Sequence, residues 1–259
     1  GRTIGALSVG SNKKYKSNIG PVPGKVKFCQ FNNSKDLKRL VNKKTVAIII
    51  EFIQGDGGIN ICTKEFAKTI KDICIKRKIL LIADEIQGGI GRTGKIFAYK
   101  NYGVSPDIIT SAKGLGSGIP IGATIIKKNI SKNISIGFHG STFGGGMLQT
   151  RIAYDVFNTI NKKSFLNKVI KNGHLLSKLL KNLKTNNENL IKEVRSKGLM
   201  AAIEFKSNDK AMSIYNKITK DGLITTLIQG NTIRITPPLI ISPLELKKGI
   251  QIISKNLLN

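Results

Sequence analysis

Short, almost continuous apolar runs separated by one long amphipathic segment dominate the first half of the chain. VAIIIEF (46–52), ILLIADE (79–85), DIITSA (107–112) and IGATIIK (121–127) are rich in β-branched residues and of strand length. Apolar runs without alternation predict strands buried on both faces, as in a parallel sheet. Between the first two, TKEFAKTIKDICIKRK (63–78) places Phe66, Ile70, Ile73 and Cys74 on one helical face, with Thr63 as cap and Glu65 in the first turn. The pattern predicts a β-helix-β unit with a right-handed connection, whose ligand sites fall at the carboxyl ends of its strands.

From about residue 146 the texture changes to two amphipathic helical stretches, MLQTRIAYDVFNTI and SFLNKVIKNGHLLSKLLKNLK. EVRSKGLMAAIEFK, a short helix near 209–221, GLITTLI, TIRITPPLII and a last helix opened by Pro243 complete a smaller α/β unit, with Pro237 and Pro238 ending one strand. The expected division is 1–150 and 151–259, inside or just before the helix near residue 150.

With 259 residues, 40% of them hydrophobic, the chain can bury a substantial core, which excludes disordered and fibrous classes. No apolar run approaches the roughly 18 residues of a membrane span, and the first residues lack a signal-peptide pattern, so a cytoplasmic protein is expected. Three cysteines without C-x-x-C spacing and two histidines support neither a disulfide framework nor a metal site. The net charge of +28 would ordinarily suggest a nucleic-acid partner. Here 36 Lys against 7 Arg are scattered along the chain, and Lys, Ile and Asn, all with AT-rich codons, make up 99 residues. Compositional drift accounts for the excess, and no basic stripe interleaved with aromatics appears, so no nucleic-acid partner is expected.

The strand-end rule directs attention to the polar residues after each run. ILLIA gives way to Asp84, Glu85 and, after Ile86, Gln87; the next strand ends in Ser111-Ala112-Lys113-Gly114. Taken singly, the acid reads as a turn cap and the lysine as a surface residue. Together, a carboxylate and a lysine at the ends of neighbouring strands suit pyridoxal phosphate, the acid pairing with the pyridinium nitrogen and the lysine forming the Schiff base. GGIGRTGKI satisfies a dinucleotide pattern at Gly89, Gly91 and Gly94 and nearly satisfies a Walker A loop. Context rejects both: DEIQ separates the glycines from the strand, an aromatic segment follows them, and Ile96 stands where a magnesium-binding hydroxyl is needed.

GRTIGALSVG, EFIQGDGG, LLIADEIQGGIGRTGKIFAY, YGVSPDIITSAKGLGSGIPIGA, HGSTFGGG, VRSKGLM and TIRITPPLIIS stand in an order and spacing that resemble the class III aminotransferases among fold type I pyridoxal-phosphate enzymes. The acetylornithine branch is the most similar and the ornithine branch next. The resemblance implies a mostly parallel sheet flanked by helices plus a smaller C-terminal α/β domain. It implies Lys113 as Schiff-base lysine and proton shuttle, Asp84 as pyridinium partner and Gln87 as hydrogen-bond partner of the cofactor's phenolic oxygen, with Glu85 and Ile86 in the same cofactor-binding segment. Ser141 and Thr142 resemble a pair that reaches a neighbouring subunit's site, the threonine at the cofactor phosphate and the serine near substrate, which implies a homodimer. Arg2 and Arg234 resemble the arginines that grip substrate carboxylates. In the family a carboxylate of the EFIQGDGG segment masks the second arginine; the matching residue is Asp56, where glutamate is usual. Glu51 opens that segment as a further substrate-side residue, and Phe52 replaces a usual proline.

The implied activity moves an amino group between N-acetylornithine and 2-oxoglutarate, as in arginine biosynthesis, with ornithine or succinyl-diaminopimelate as the alternative amine. The family's first part would precede Gly1, with a phosphate-holding loop, a stacking aromatic and two sheet strands. The chain therefore reads as a fragment of an enzyme, one part of a split enzyme, or an inactive remnant. Loss of two strands would leave an open sheet edge and favour aggregation. A reading of a different class, a non-catalytic basic binding protein on the same fold, leaves the joint presence of Asp84, Gln87, Lys113, Thr142, Arg2 and Arg234 without a reason.

Overall fold

The computed structural model describes residues 3–257. Its first part runs through α1 (Ile4–Val9), α2 (Ser34–Leu40), β1 (Ala47–Ile50), the short hairpin of β2 (Ile53–Gln54) and β3 (Asn60–Ile61), α3 (Lys64–Arg77), β4 (Leu80–Asp84), β5 (Ile108–Ser111), β6 (Ala123–Ile126) and α4 (Lys128–Ser131). Then follow α5 (Met147–Ile160), α6 (Lys163–Thr185), β7 (Ile191–Lys197), β8 (Met200–Phe205), α7 (Asn208–Lys220), β9 (Thr226–Ile228), β10 (Thr232–Ile235) and α8 (Pro243–Lys255).

The four apolar runs form one sheet in the order β1-β4-β5-β6. β1, β4 and β5 are parallel, whereas β6 returns antiparallel to β5. The expectation of a fourth parallel strand fails because the link from Ala112 to Gly122 contains only a single 3-10 turn, not the helical crossover that a parallel return needs. Burial on both faces also fails at the edges: Ile49 of β1 is 39% and Ile125 of β6 is 45% exposed, while Leu81 and Ala83 of central β4 are buried.

The crossover helix forms where its pattern places it. Thr63 Oγ1 accepts from the Phe66 N–H at 3.1 Å, and Phe66, Ile70 and Cys74 face the core with Ile73 at its margin. Phe52, where the resemblance leads to an expectation of proline, is buried and stacks on Tyr102 with ring centroids 5.0 Å apart. All three cysteines are free thiols.

A second, antiparallel sheet has the order β7-β8-β10-β9. Leu176 and Leu180 of α6, Ile218 of α7 and Ile253 of α8 share its core. α8 starts with a capping box between Ser242 and Glu245 and with Pro243 in its first turn, where a missing N–H leaves no bond unmade. β8 belongs to both cores: Met200 and Ala202 face the first, and Ala201, Ile203 and Phe205 face the second. The period-two alternation of a strand thus makes β8 the seam between the units. Ala153 and Ile160 of α5 pack in the first core, and the second begins along the chain at Val169 of α6.

Backbone joins the units at the β7–β8 turn. The Leu199 N–H donates to the Arg92 carbonyl at 3.0 Å, and Arg92 Nη1 donates to the Leu199 carbonyl at 3.3 Å and to that of Pro237. Gly198 has φ +58°, and a Cβ there would lie 2.6 Å from the Arg92 oxygen. A Cβ on Gly173 of α6 would in turn lie 2.7 Å from Gly198 Cα. The glycine run that precedes this joint opens no α-helix, only a short 3-10 helix at Ala98–Asn101, which agrees with rejecting the nucleotide motifs.

Glu85, only 1% exposed, serves the same region. Its carboxylate accepts the N–H groups of Ala98 at 2.7 Å and Tyr99 at 2.8 Å. Burial, with Asp84 adding to it, pushes the Glu85 carboxyl up to about 7 against the pull of those N–H groups. Among the described residues no helix is long and apolar enough to cross a membrane.

Replacing Gly198 by Ala should lower stability by about 2–4 kcal/mol in a denaturant melt, because the new methyl meets backbone rather than a movable side chain; an unchanged midpoint would refute the close approach. Glu85 binds its proton more tightly folded than unfolded, so its contribution to stability is greatest below about pH 4.5 and is lost as pH rises through about 7. The stability of wild type relative to Glu85→Gln should therefore fall between pH 5 and 8, and a pH-independent difference would contradict the assignment.

Candidate functional site

The parallel strands β1, β4 and β5 deliver Glu51, Asp84 and Lys113 to one edge of the sheet, because equal polarity puts all their carboxyl ends together. Asp84 closes β4 opposite Thr110 of β5. Its Oδ1 accepts from the Ile86 N–H at 3.0 Å and from Thr110 Oγ1 at 3.3 Å, which fixes the carboxylate and leaves Oδ2 without a protein donor among the described residues. Ile86 contributes its backbone N–H to this arrangement, and Glu85 is turned away to Ala98 and Tyr99.

Lys113 begins the 3-10 turn after β5 with φ +47°, a left-handed conformation that a non-glycine residue adopts at a cost. Its ammonium is exposed and has no hydrogen bond or ion pair among the described residues. Its charge is felt by Glu51 and Asp56. Ser111, two residues earlier, is 3% exposed, and its Oγ has no hydrogen-bond partner among the described residues.

Glu51 is half-buried and accepts the Gly55 N–H at 3.0 Å. Burial first, then the neighbouring carboxylates of Asp84 and Asp56, push its carboxyl up to about 7 against the Gly55 N–H and Lys113. Asp56 shows the opposite balance. Desolvation resists its ionisation, but the Gln87 amide, then Arg234 and Lys113, outweigh it and hold the carboxyl below the ordinary carboxylate range.

The smaller unit closes the site from β10. Arg234 Nη1 donates to Asp56 Oδ1 at 2.6 Å and to Gln87 Oε1 at 3.1 Å, while Gln87 Nε2 donates to Asp56 Oδ1 at 3.2 Å. Arg234 Nε is buried and has no acceptor among the described residues, an unsatisfied donor in a polar site. The arrangement pairs an arginine able to take a carboxylate with an acid that covers it.

Glu51, Asp56, Asp84, Gln87, Lys113 and Arg234 are thus gathered. Ser141 and Thr142 stand on an exposed loop, and among the described residues no hydrogen bond joins them to this cluster. Arg2 lies outside the described residues. Sequence reasoning missed Thr110, whose role follows from strand register, and Arg195 and Gln229, which touch the Asp56 turn from the second sheet. The only signal for Arg195 is the isolated arginine in VRSKGLM.

The family described as "Aminotransferase class-III" matches residues 1–257. The acetylornithine aminotransferase of Methanocaldococcus jannaschii is 40% identical over 93% of this chain and 60% of its own length. Ornithine aminotransferase 1 of Staphylococcus saprophyticus is 38% identical over 98% of this chain and 64% of its own. Among solved structures, the ornithine aminotransferase from Toxoplasma gondii ME49 superposes with a TM-score of 0.93 at 29% identity, over 100% of this chain and 62% of that one. The acetylornithine aminotransferase from Elizabethkingia anophelis gives a TM-score of 0.77 at 35% identity, over 82% of this chain and 54% of that one. The chain spans 60 to 64% of the length of these two curated relatives. The match along the chain and the shared architecture agree: the chain belongs to the class III aminotransferase family.

Proposed function

We propose that the protein works as a pyridoxal-phosphate-dependent aminotransferase that moves an amino group between a terminal amine, N-acetylornithine by preference, and 2-oxoglutarate in the cytoplasm. The observation that carries this reading is the unpaired Lys113 amine at the same sheet edge as Asp84, whose Oδ2 is left open while Oδ1 is fixed. Those two groups fit the lysine-linked and nitrogen ends of the cofactor, and the buried unpaired Ser111 hydroxyl marks a polar pocket beside them.

When bound, pyridoxal phosphate supplies an electron-withdrawing ring that makes a substrate C–H acidic. Lys113 Nζ takes and returns that proton. Asp84 keeps a proton at the ring nitrogen by placing negative charge beside it. Arg234 holds the carboxylate that 2-oxoglutarate carries beside its reacting keto carbon, and Asp56 covers Arg234 when the bound terminal amine has no carboxylate there. Gln87 bridges Asp56 and Arg234 and keeps the two in register. Arg2 is assigned to the second substrate carboxylate.

Ser141 and Thr142 complete the site of a second copy in this proposal, Thr142 at the phosphate and Ser141 at the substrate. Their loop supports it: Ile136, Phe138, Phe143 and Met147 around them are 76% to 106% exposed, an apolar patch that water disfavours and a partner would cover.

Incubation with pyridoxal phosphate and borohydride reduction should place the label selectively on Lys113 among 36 lysines by mass spectrometry, and Lys113→Arg should abolish it. Scattered labelling overturns the proposal. In turnover assays acetylornithine should outpace ornithine and succinyl-diaminopimelate by about tenfold or more in kcat/KM. Reaction with ornithine alone would replace the substrate assignment while leaving the reaction type.

A further inference from the structure

We propose that Arg195 is a positioning residue that latches the Asp56-bearing turn in place, and thereby sets how readily a dicarboxylate gains Arg234; this rests on Arg234 being the carboxylate clamp of the proposed function. Asp56 lies in the turn between β2 and β3 with a side chain 72% exposed. A single methylene separates its carboxylate from the backbone, so the 2.6 Å contact with Arg234 is decided by where the turn's main chain sits.

That main chain is not in a relaxed state. Gly58 and Ile59 follow one another with φ +104° and +56°. Glycine tolerates this, but a β-branched residue in the left-handed region is strained and persists only where its surroundings hold it. Ile59 is fully buried, which anchors one end of the turn in the first core.

The other hold comes from the second sheet. Arg195 Nε donates to the Gly58 carbonyl at 2.8 Å, at the first of the two left-handed residues. Its guanidinium is aimed there by Glu193 and Glu204, which accept from Nη1 at 2.5 and 2.6 Å, and Glu204 is itself braced by Lys192 at 2.7 Å. The fit is close: a Cβ on Gly58 would lie 3.3 Å from Arg195 Nη2. Gln229 Nε2 adds a longer contact of 3.4 Å to the Asp56 carbonyl. Arg195 makes no hydrogen bond to Asp56, Arg234, Gln87 or Lys113 among the described residues, so it acts only through the backbone of the turn.

Releasing Gly58 lets the turn relax and draws Asp56 from Arg234, so a dicarboxylate displaces it more easily. Arg195→Lys is the first variant, because its ammonium can keep the ion pair with Glu204 while losing the donor that reaches Gly58; Arg195→Ala is the second. On the full ligand-free chain, amide hydrogen exchange in 54–61 should quicken by about tenfold in both variants, the scale of one charge-assisted hydrogen bond. Glutarate, titrated by calorimetry, should bind about tenfold tighter to Arg195→Lys than to wild type, and the gain should vanish in an Asp56→Asn background.

Unchanged exchange in 54–61 overturns the latch whatever glutarate does. Quickened exchange with a glutarate gain that persists without Asp56 overturns the link to masking. Glutarate bound by no variant, Asp56→Asn included, overturns the clamp reading and the gate with it, a result the labelling of Lys113 would not share.

Discussion

The turn at Gly198 lies against the backbone of Arg92 and Thr93 with no room for a side chain, and the geometry of the site depends on that approach. It seats the second sheet beside the carboxyl edge of the first, so that Arg234 on β10 meets Asp56 and Gln87 from the other unit. β8 continues the same seam by facing both cores with alternate side chains. Packing density explains the sensitivity: where main chain meets main chain, nothing is free to rotate aside.

The second determinant is electrostatic. In a chain of net charge +28 the candidate site gathers three acids, Glu51, Asp56 and Asp84. Crowding and burial split their behaviour. Glu51 is pushed up to about 7, whereas Asp56, paired with Gln87 and Arg234, is held down. Groups of one chemical type thereby differ in how readily they release a proton within one site.

Much of this was legible in the sequence for local reasons. The crossover helix carried its cap at Thr63 and its apolar stripe, and the strand ends pointed to Asp84 and Lys113 because polarity shifts abruptly after each apolar run. The antiparallel return of β6 does not show in the apolar runs, although the short link after Ser111 contains the clue: too few residues for a helix to carry the chain back. Thr110 could not be found as the partner of Asp84 without strand register, which alternation alone does not fix. Arg195 and Gln229 escaped for a different reason. Their partners are backbone carbonyls on a distant turn, and a carbonyl leaves no trace in residue identity. Ser141 and Thr142 were singled out by resemblance alone, and the geometry of one chain does not bring them to the cluster.

Arg92 sits at the joint as a half-buried cation whose hydrogen-bond acceptors are the neutral carbonyls of Leu199 and Pro237, and desolvation lowers its pKa to about 10. Exposed ion pairs such as Arg151–Asp155 weaken as salt rises, but dipoles shielded from solvent are hardly screened. The joint between the units is therefore less sensitive than such pairs to the ionic surroundings that the lysine-rich exterior faces. Surface charge can be gained or lost residue by residue while the alignment of Arg234 with the opposite unit stays where the fold put it.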